Sequence, residues 1–298
     1  MLDEGRERKI AVDTIDTGVA PIALVMAVQS SGISGPVLEK VRRIGSMIQP
    51  LVTGERGYAA LVSFAERIDW LQDCTHDADA FGRALDRLRP GEHKQAVMLD
   101  AVVAAIGRLS KQENARRVLL LISESRDRGS ETDLQTAAMK AESAGVAIYA
   151  ATYSAMRTAF TSKSPVSEPG RVEKPRTPAD IYGTPTGAPP SKYNPKTIPV
   201  EQRVDIRAGL AEILRLHKEN DTQALAATTG AITFPFTRQK RLETAIQKFG
   251  GELHAQYVLS FAPEAPAPGY HKLEVRIVRP GSYQIRARPG YWPDEEPR

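Results

Sequence analysis

RRVLLLISESRDRGS, at residues 116–130, is the most informative segment for the architecture of this chain. Its first half contains VLLLIS at 118–123, the most apolar run of the sequence, which predicts a strand buried on both faces at the centre of a sheet. Its second half begins a polar loop that leads into a segment of helical spacing at 134–144. A buried strand followed by a loop and a helix is the repeating unit of a parallel α/β sheet.

The same alternation of strand and helix continues on both sides of this segment. The apolar run IALVMAV at 22–28 predicts a second strand that is buried on both faces. Shorter apolar runs predict further strands at 57–65, 68–72, 146–152, 231–236 and 256–261. Residues at helical spacing predict further helices at 37–48, 81–88, 99–109, 204–216, 222–228 and 242–249. The predicted fold is therefore α/β, a doubly wound, Rossmann-like, mostly parallel sheet flanked by helices.

Several polar, proline and glycine residues mark the ends of these helices. Ser34 and Pro36 predict the start of the first helix, because serine caps helix N-termini and proline fits the first turn. Thr132 and Gln135 predict a capping box for the helix after the polar loop, and Gly145 predicts its end.

The chain divides into five predicted segments. These are an N-terminal β segment, the first part of the α/β domain, a proline-rich insertion, the last part of that domain and a C-terminal hairpin, at 1–18, 19–161, 162–199, 200–263 and 264–298. Nine prolines fall between Pro165 and Pro199 with little aliphatic periodicity, so the insertion is predicted to be mobile and partly polyproline.

The C-terminal segment alternates apolar and charged residues on either side of the turn sequence RPGS. This pattern predicts a small β appendage, a hairpin of 271–278 with 283–288 that also pairs with residues 8–13. The side chains predicted to point inward are Leu273, Val275 and Ile277. Those predicted to face solvent are Glu274, Arg276, Arg286 and Arg288.

The composition excludes several classes of protein. The formal net charge of +4 does not indicate nucleic acid, and the hairpin arginines lack the interleaved aromatic residues of a nucleic-acid surface. The single cysteine, Cys74, excludes an internal disulfide and a cysteine-rich metal site. The longest apolar run is far shorter than the roughly 20 residues of a membrane-spanning helix. The charged opening MLDEGRERKI predicts no secretory signal.

The sequence contains no catalytic motif. Its five histidines include no pair at metal-ligand spacing, and it has no G-x-S-x-G elbow for a nucleophilic serine. Ser30 and Ser31 follow the strand at 22–28, where a nucleophile would lie, but capping of the next helix explains them better. The loop SSGISG lacks the lysine of a phosphate-binding loop. We therefore predict a protein that is not an enzyme.

Four segments carry a family resemblance: LDEGRERKI at 2–10, RRVLLLISESRDRGS at 116–130, QYVLSFAP at 256–263, and the tail at 271–291, which ends in RARPGY. With the order of the elements, they resemble the von Willebrand factor A (VWFA) fold, and specifically a bacterial group of VWFA-related domain proteins. The resemblance covers nearly the whole chain. It implies a module that binds other proteins in adhesion or assembly, and an extracytoplasmic location.

In VWFA domains a divalent cation at the carboxyl ends of the strands binds a carboxylate of the partner. An Asp-x-Ser-x-Ser motif, a threonine and a further aspartate hold this cation, and hard oxygen ligands of this kind suit Mg²⁺. In this chain the family positions fall on Ala27, Gln29, Ser31, Ala96 and Glu124. Only Ser31 is identical to the family residue. The resemblance therefore implies a degenerate adhesion site with no metal or other cofactor.

Without a cation, the positive charge of the site must come from side chains. Ligands of open α/β sheets bind beyond the carboxyl ends of the strands, where the loop at 124–128 is predicted to lie. Arg126 and Arg128 of this loop offer bidentate hydrogen bonds to a partner's carboxylate. The predicted partner-binding residues are Gln29, Ser30, Ser31, Gln95, Glu124, Arg126, Asp127 and Arg128.

Three alternatives stay open at this point. The loop at 124–128 is equally consistent with a solvated connector in a structural module that positions other subunits. A weak divalent-cation-dependent adhesion domain is a second alternative, with Glu124 or Asp127 as the carboxylate ligand. A hydrolase is the most distant alternative.

Overall fold

The computed structural model describes residues 1–14, 21–48, 52–154, 220–263, 269–282 and 285–293. The strands in these ranges are β1 (Leu2–Asp3), β2 (Arg6–Glu7), β3 (Ala11–Thr14), β4 (Ile22–Gln29), β5 (Tyr58–Phe64), β6 (Ile68–Thr75), β7 (Arg116–Ser123), β8 (Ala147–Thr152), β9 (Thr233–Pro235), β10 (Tyr257–Ser260), β11 (His271–Glu274) and β12 (Gly290–Tyr291). The α-helices are α1 (Gly35–Arg42), α2 (Gly45–Ile48), α3 (Ala78–Asp86), α4 (Met98–Leu109), α5 (Leu134–Ser143), α6 (Asp221–Thr228) and α7 (Gln239–His254). The predicted insertion at 162–199 and the predicted helix at 204–216 lie outside the described residues.

Six strands form the central sheet in the order β6-β5-β4-β7-β8-β9. All neighbouring strands are parallel except the edge strand β6, which runs antiparallel to β5. Every residue of β4 is buried, and β7 is buried from its third residue onward, as expected for central strands covered on both faces. The predicted doubly wound, mostly parallel α/β fold is confirmed.

Helices cover both faces of this sheet. Each buried strand contributes apolar side chains to both faces, because successive side chains of a strand point in opposite directions. Leu24 and Met26 of β4 belong to the core packed under α1, α2, α3 and α7. Ala23 and Val25 belong to the core packed under α4, α5 and α6. Burying one side chain as large as Leu24 contributes about 1.5–3 kcal/mol, so these alternating rows stabilise the three-layer arrangement.

The ends of α5 show how local residues position a helix. Asp133 is the N-cap, and its carboxylate accepts a hydrogen bond from the backbone N–H of Thr136 at 2.8 Å. The predicted capping box of Thr132 and Gln135 is wrong, because the aspartate directly before the helix caps this N–H group itself. Gly145 ends the helix as predicted, at a φ of +66° that favours glycine.

Two small sheets lie outside the central one. The first has the order β12-β11-β1-β2, and the second pairs β10 with β3. The prediction that the strand at 256–261 completes the α/β layer is therefore wrong. The edge strand β9 has only three residues, and Pro235 has no N–H group, so its outer edge offers little for another strand to pair with.

The N-terminal segment pairs differently from the prediction. Leu2–Asp3, rather than residues 8–13, pairs with His271–Glu274. A tight turn after β1 folds β1 and β2 into a hairpin that occupies the edge of β11. Residues further along instead form β3, which pairs with Tyr257–Ser260.

The tail departs from the predicted hairpin because its second half packs on the body of the domain. β11 pairs with Gly290–Tyr291, which lie beyond the predicted second strand. Arg286 forms an ion pair with Glu252 of α7 at 2.9 Å. Arg288 is half-buried rather than exposed to solvent. Ile277 is 46% exposed, so the prediction that it points inward is wrong.

Two contacts attach the tail to the body. A Cβ atom on Gly230 would lie 2.7 Å from the carbonyl carbon of Ala287, so the tail lies directly against this glycine. The Nε1 atom of Trp292 donates a hydrogen bond to Glu142 of α5 at 3.2 Å. Burial raises the pKa of Glu142 to about 7, although Trp292 and Arg288 act to lower it. The tail is thus held by packing and side-chain contacts more than by a strand ladder.

Candidate functional site

Gln29 is the last residue of β4 and lies at the carboxyl edge of the sheet. Its side chain is buried, with an exposure of only 1% for the residue. The side-chain oxygen accepts a hydrogen bond from the backbone N–H of Glu124 at 2.9 Å, and the side-chain nitrogen donates one to Ser31 Oγ at 2.8 Å. Gln29 therefore joins the ends of the neighbouring strands β4 and β7.

The hydrogen-bond network continues from Ser31 through two more hydroxyl groups. Ser31 Oγ lies 3.2 Å from Ser34 Oγ, which lies 2.8 Å from the hydroxyl of Tyr153. All three residues are buried, so their hydroxyl groups depend on these partners. Burial raises the pKa of Tyr153 well above its usual value, against a smaller lowering by Ser34. Ser34 is the residue before α1 and Pro36 lies in its first turn, as predicted, but the Ser34 side chain makes no capping bond to the helix.

Four of the five family positions for a cation offer no free ligand. Ala27 and Ala96 are buried in the core on the α4 side of the sheet, and neither has a side-chain oxygen. The side-chain oxygens of Gln29 and Ser31 are engaged in the network of buried hydrogen bonds. Gln29 thus holds the strand ends together, and Ser31 is its partner in the network.

The fifth position, Glu124, is engaged by a cation of the chain itself. One of its carboxylate oxygens lies 3.7 Å from Nε of Arg128. Mg²⁺ requires an octahedral set of oxygens that includes one or two carboxylates, and the residues present do not fit it. Within the described parts of the chain, no group of three or more His, Cys, Asp or Glu side chains is placed to hold a metal ion.

The loop at 124–130 is fixed to α4 by Asp127. Its carboxylate accepts hydrogen bonds from the backbone N–H of Leu99 at 3.1 Å and from the backbone N–H and hydroxyl of Ser130 at 2.9 and 2.7 Å. Leu99 belongs to the first turn of α4, whose N-cap residue, Val97, has no side-chain group that could cap it. Asp127 therefore caps this helix from a different loop.

Asp100 fixes the far end of the same loop. Its carboxylate accepts hydrogen bonds from the backbone N–H groups of Glu131 and Thr132 at 3.0 and 2.9 Å. Partial burial acts to raise the pKa of Asp100, but hydrogen bonds from Thr132 and Glu131 outweigh it and hold the pKa below its usual value. The carboxylate is thus charged at neutral pH, and the loop is held both within its length, by Asp127, and directly after its last residue, by Asp100.

Three predicted site residues are exposed at this fixed loop. Arg126 and Gln95 are exposed, and the side chain of Arg128 is 54% exposed. The backbone N–H of Arg128 donates to the carbonyl of Ala96 at 3.1 Å, which ties the loop to the segment that precedes α4. Gln95 lies over the loop, where a Cβ atom on Gly129 would approach its side-chain nitrogen to 2.5 Å.

The predicted partner-binding residues lie at one edge of the sheet, but they fall into two groups. Gln29, Ser30 and Ser31 are 1%, 8% and 0% exposed, so they offer a partner little surface in this conformation, and their predicted role in binding stays a prediction. The side chains of Gln29 and Ser31 bond to each other, and the backbone N–H of Ser30 donates to the carbonyl of Phe64 at 2.8 Å. Glu124 and Asp127 are half-buried and support the exposed residues.

Two important residues were not predicted from the sequence. Asp100 anchors the loop, and Tyr153 ends the buried network. A signal for the first existed, because an apolar residue such as Val97 directly before a helix indicates that the cap comes from elsewhere. For Tyr153, the only signal was a polar residue immediately after a buried strand.

No protein-family model and no curated protein matches this chain. Among solved structures, it is similar to an aerotolerance-related membrane protein from Bacteroides fragilis, with 15% identity, 78% of this chain and 99% of that chain covered, and a TM-score of 0.47. It is similar to the conserved hypothetical protein BatB from Bacteroides thetaiotaomicron, with 14% identity, coverage of 78% and 98%, and a TM-score of 0.49. A von Willebrand factor type A protein from Catenulispora acidiphila matches with 13% identity, coverage of 49% and 41%, and a TM-score of 0.40.

Similarities at these identities concern architecture and carry nothing about function. The sheet order and the helices on both faces show the doubly wound α/β architecture that the sequence predicts, and the family resemblance stays a prediction. None of the helices in the described ranges combines the length and the apolar character needed to cross a bilayer.

Proposed function

We propose that the chain is a non-enzymatic protein-binding module, used in adhesion or assembly, that binds its partner at the carboxyl edge of the sheet without a metal ion. The observation that supports this proposal is the fixed loop carrying Arg126 and Arg128, which is held by Asp127 from within and by Asp100 directly after its last residue. A surface that is ordered before binding loses little conformational entropy when the partner arrives.

The chemistry of the two arginines suits a carboxylate of the partner. A guanidinium group has N–H donors in a planar fork that matches both oxygens of a carboxylate. Arg128 already lies near one carboxylate, that of Glu124, and half of its side chain is open to solvent. It can therefore bind a second carboxylate from outside while Glu124 keeps it in place.

A charge-reversal experiment tests this site. The Arg126→Glu/Arg128→Glu variant and the wild type are compared in pull-downs from the native source. The matched control is Arg83→Glu/Arg276→Glu, which changes the charge equally and alters exposed arginines that also form ion pairs, to Asp77 and Glu274. We expect the first variant to lose about 2–5 kcal/mol of binding energy to the partner. If both variants retain every wild-type partner, the structural-module alternative replaces this proposal.

Metal independence is tested separately. We expect calorimetry with Mg²⁺ and Mn²⁺ to show no binding tighter than millimolar, and partner retention to be unaffected by a chelator. A stoichiometric heat of micromolar affinity would show that Glu124 or Asp127 rearranges into a metal ligand. That result would favour the weak cation-dependent adhesion domain instead.

The absence of enzymatic activity and an extracytoplasmic location are the remaining parts of the proposal. The first is supported by the surroundings of the strand-end serines: within the described residues, the side chain of Ser31 bonds to Gln29 and Ser34, and no histidine bonds to it or to Ser30. Turnover of generic ester or peptide substrates would contradict this part. The location rests on the family resemblance alone, and fractionation of the native cells tests it.

A further inference from the structure

A second group of cations lies at the carboxyl edge, where β9 leads into α7. Arg238 directly precedes α7, and Lys240 and Arg241 lie in its first turn. All three residues are exposed. Lys40 of α1 is nearby, because its Nζ atom donates a hydrogen bond to the carbonyl of Thr237 at 2.8 Å.

Among the described residues, no carboxylate forms an ion pair with these three side chains. Many surface arginines of the described chain form ion pairs with a neighbouring carboxylate, among them Arg83, Arg276 and Arg286. In contrast, no described carboxylate forms an ion pair with Arg238, Lys240 or Arg241, and the nearest acid along the helix, Glu243, accepts a hydrogen bond from Gln239. Cations at the start of a helix oppose its dipole. The stability of α7 therefore does not explain this group.

A chain of contacts connects this group to the loop at 124–130. The backbone N–H of Phe236 donates to the carbonyl of Thr152 at 2.8 Å, and the rings of Phe236 and Tyr153 lie 5.9 Å apart. The backbone N–H of Tyr153 in turn donates to the carbonyl of Ser123, the residue before the loop, at 3.1 Å. The two groups of cations therefore follow strands β7 and β9, which are separated by one strand at the same edge.

The spacing of the strands gives the distance that a partner must span to contact both groups. Neighbouring strands lie about 4.8 Å apart, so β7 and β9 are separated by roughly 10 Å. An extended peptide rises about 3.3 Å per residue, so a run of about four to six residues spans both groups. An extended segment with several negative charges would satisfy both groups at once.

We propose that Arg126, Arg128, Arg238, Lys240 and Arg241 form one surface, the basic edge, and that it binds an extended acidic segment of a partner protein. The inference rests on the proposed function and adds the chemistry of the partner. Single-stranded nucleic acid binds through stacking of its bases on aromatic side chains. The exposed large apolar residues of the described chain are Val12, Tyr257, Val258, Ile277, Val278 and Ile285, and none of them belongs to the basic edge.

Fluorescence anisotropy with a short, labelled oligo-glutamate peptide tests the proposal on the full chain. We expect the wild type to bind the peptide, and both Arg238→Glu/Arg241→Glu and Arg126→Glu/Arg128→Glu to weaken binding by about tenfold or more, which corresponds to about 1.4 kcal/mol. Arg83→Glu/Arg276→Glu is the control and should change binding by less than about twofold, because its charges lie off this surface. Arg238→Gln/Arg241→Gln serves as a milder variant if the reversal impairs folding.

Three results would overturn the proposal: no binding by the wild type, unchanged binding by both variants at Arg238 and Arg241, or tighter binding of an oligonucleotide of equal charge. The failure of this inference can be told apart from the failure of the proposed function. If native partners are lost only with Arg126→Glu/Arg128→Glu, the proposed binding site at these two arginines is supported and the basic edge is contradicted. If neither double reversal affects binding of the native partners, both the proposed function and the basic edge are contradicted.

Discussion

Asp127 caps the helix turn that contains Asp100, and Asp100 binds the backbone at the far end of the loop that contains Asp127. Each carboxylate thus stabilises the segment that carries the other. As a consequence, the loop at 124–130 cannot shift without leaving the first turn of α4 uncapped.

Replacing Asp127 with alanine should therefore destabilise the fold and not only the loop. We expect Asp127→Ala to lower the free energy of unfolding by about 1–3 kcal/mol, because the N–H groups of Leu99 and Ser130 lose their acceptor. Urea denaturation measures this change. Glu131→Ala, at an exposed position close by, is the control and should stay within about 0.5 kcal/mol of the wild type. Equal effects of the two variants would show that the capping contact is unimportant.

The buried hydroxyls of Ser34 and Tyr153 should be energetically coupled. We expect Ser34→Ala and Tyr153→Phe each to cost about 0.5–1.5 kcal/mol, and the double variant to cost less than the sum, because the bond between them is lost only once. A double-mutant cycle of thermal or urea unfolding gives the coupling energy. Tyr257→Phe removes a hydroxyl from a residue that is 68% exposed and should have little effect. Strict additivity would argue against the network.

Gly230 and Gly54 form a matched pair for testing how the tail is attached. Both have positive φ, +73° and +66°, so alanine is strained at either position. A Cβ atom at Gly230 would also collide with Ala287 at 2.7 Å, whereas nothing lies within 4 Å of one at Gly54. We expect Gly54→Ala to cost about 1 kcal/mol and Gly230→Ala clearly more, with earlier proteolysis of the tail. Equal costs would show that the tail is not packed against this glycine.

Glu142 should make stability depend on pH near neutrality. Its pKa in the folded chain, about 7, lies above the ordinary value of 4.5, so folding favours the protonated form. This contribution is complete below about pH 4.5 and is lost as the pH rises through about 7. We expect the wild type to lose up to about 3 kcal/mol across this window relative to Glu142→Gln, at about 1.4 kcal/mol per pKa unit. Unfolding measured at several pH values tests this, and Glu39→Gln, at an exposed position, is the control.

Replacing Arg238 with aspartate should stabilise the fold and at the same time weaken binding of the acidic peptide. It is the N-cap residue of α7, has extended backbone angles (φ −118°, ψ 155°) and makes no side-chain capping bond. Aspartate at this position can cap the helix and complements its dipole, so we expect Arg238→Asp to raise the free energy of unfolding by about 0.5–2 kcal/mol. The same variant should bind the oligo-glutamate peptide less tightly than the wild type. A variant that gains stability without losing peptide affinity would remove Arg238 from the basic edge.

The central sheet could be predicted because its strands are apolar on both faces, a pattern that few other positions in a fold tolerate. Ile22–Gln29 and Arg116–Ser123 are examples, and both lie where the sequence placed them. Tyr257–Ser260 has a similar apolar character, yet it pairs with β3 outside this sheet. A short strand of this kind does not encode its partner in its own sequence.

The edge that carries the candidate site was also predictable, since parallel strands end on the same side. The division into buried and exposed residues was not. Gln29 and Ser31 are polar and follow a strand, so the sequence alone favours exposure. Their burial depends on Ser34 and Tyr153, which are joined to each other across a separation of 119 residues. Contacts this distant in the sequence leave no local periodicity to detect.

The network beneath the fixed loop consists of one amide and three hydroxyl groups, from Gln29, Ser31, Ser34 and Tyr153. The amide and the serine hydroxyls do not titrate, and burial keeps the tyrosine protonated far into the alkaline range. The protonation state of this network is therefore the same in acidic, neutral and moderately alkaline solution. Any response of the site to acid must therefore arise in the loop above this network, from carboxylates such as that of Asp100.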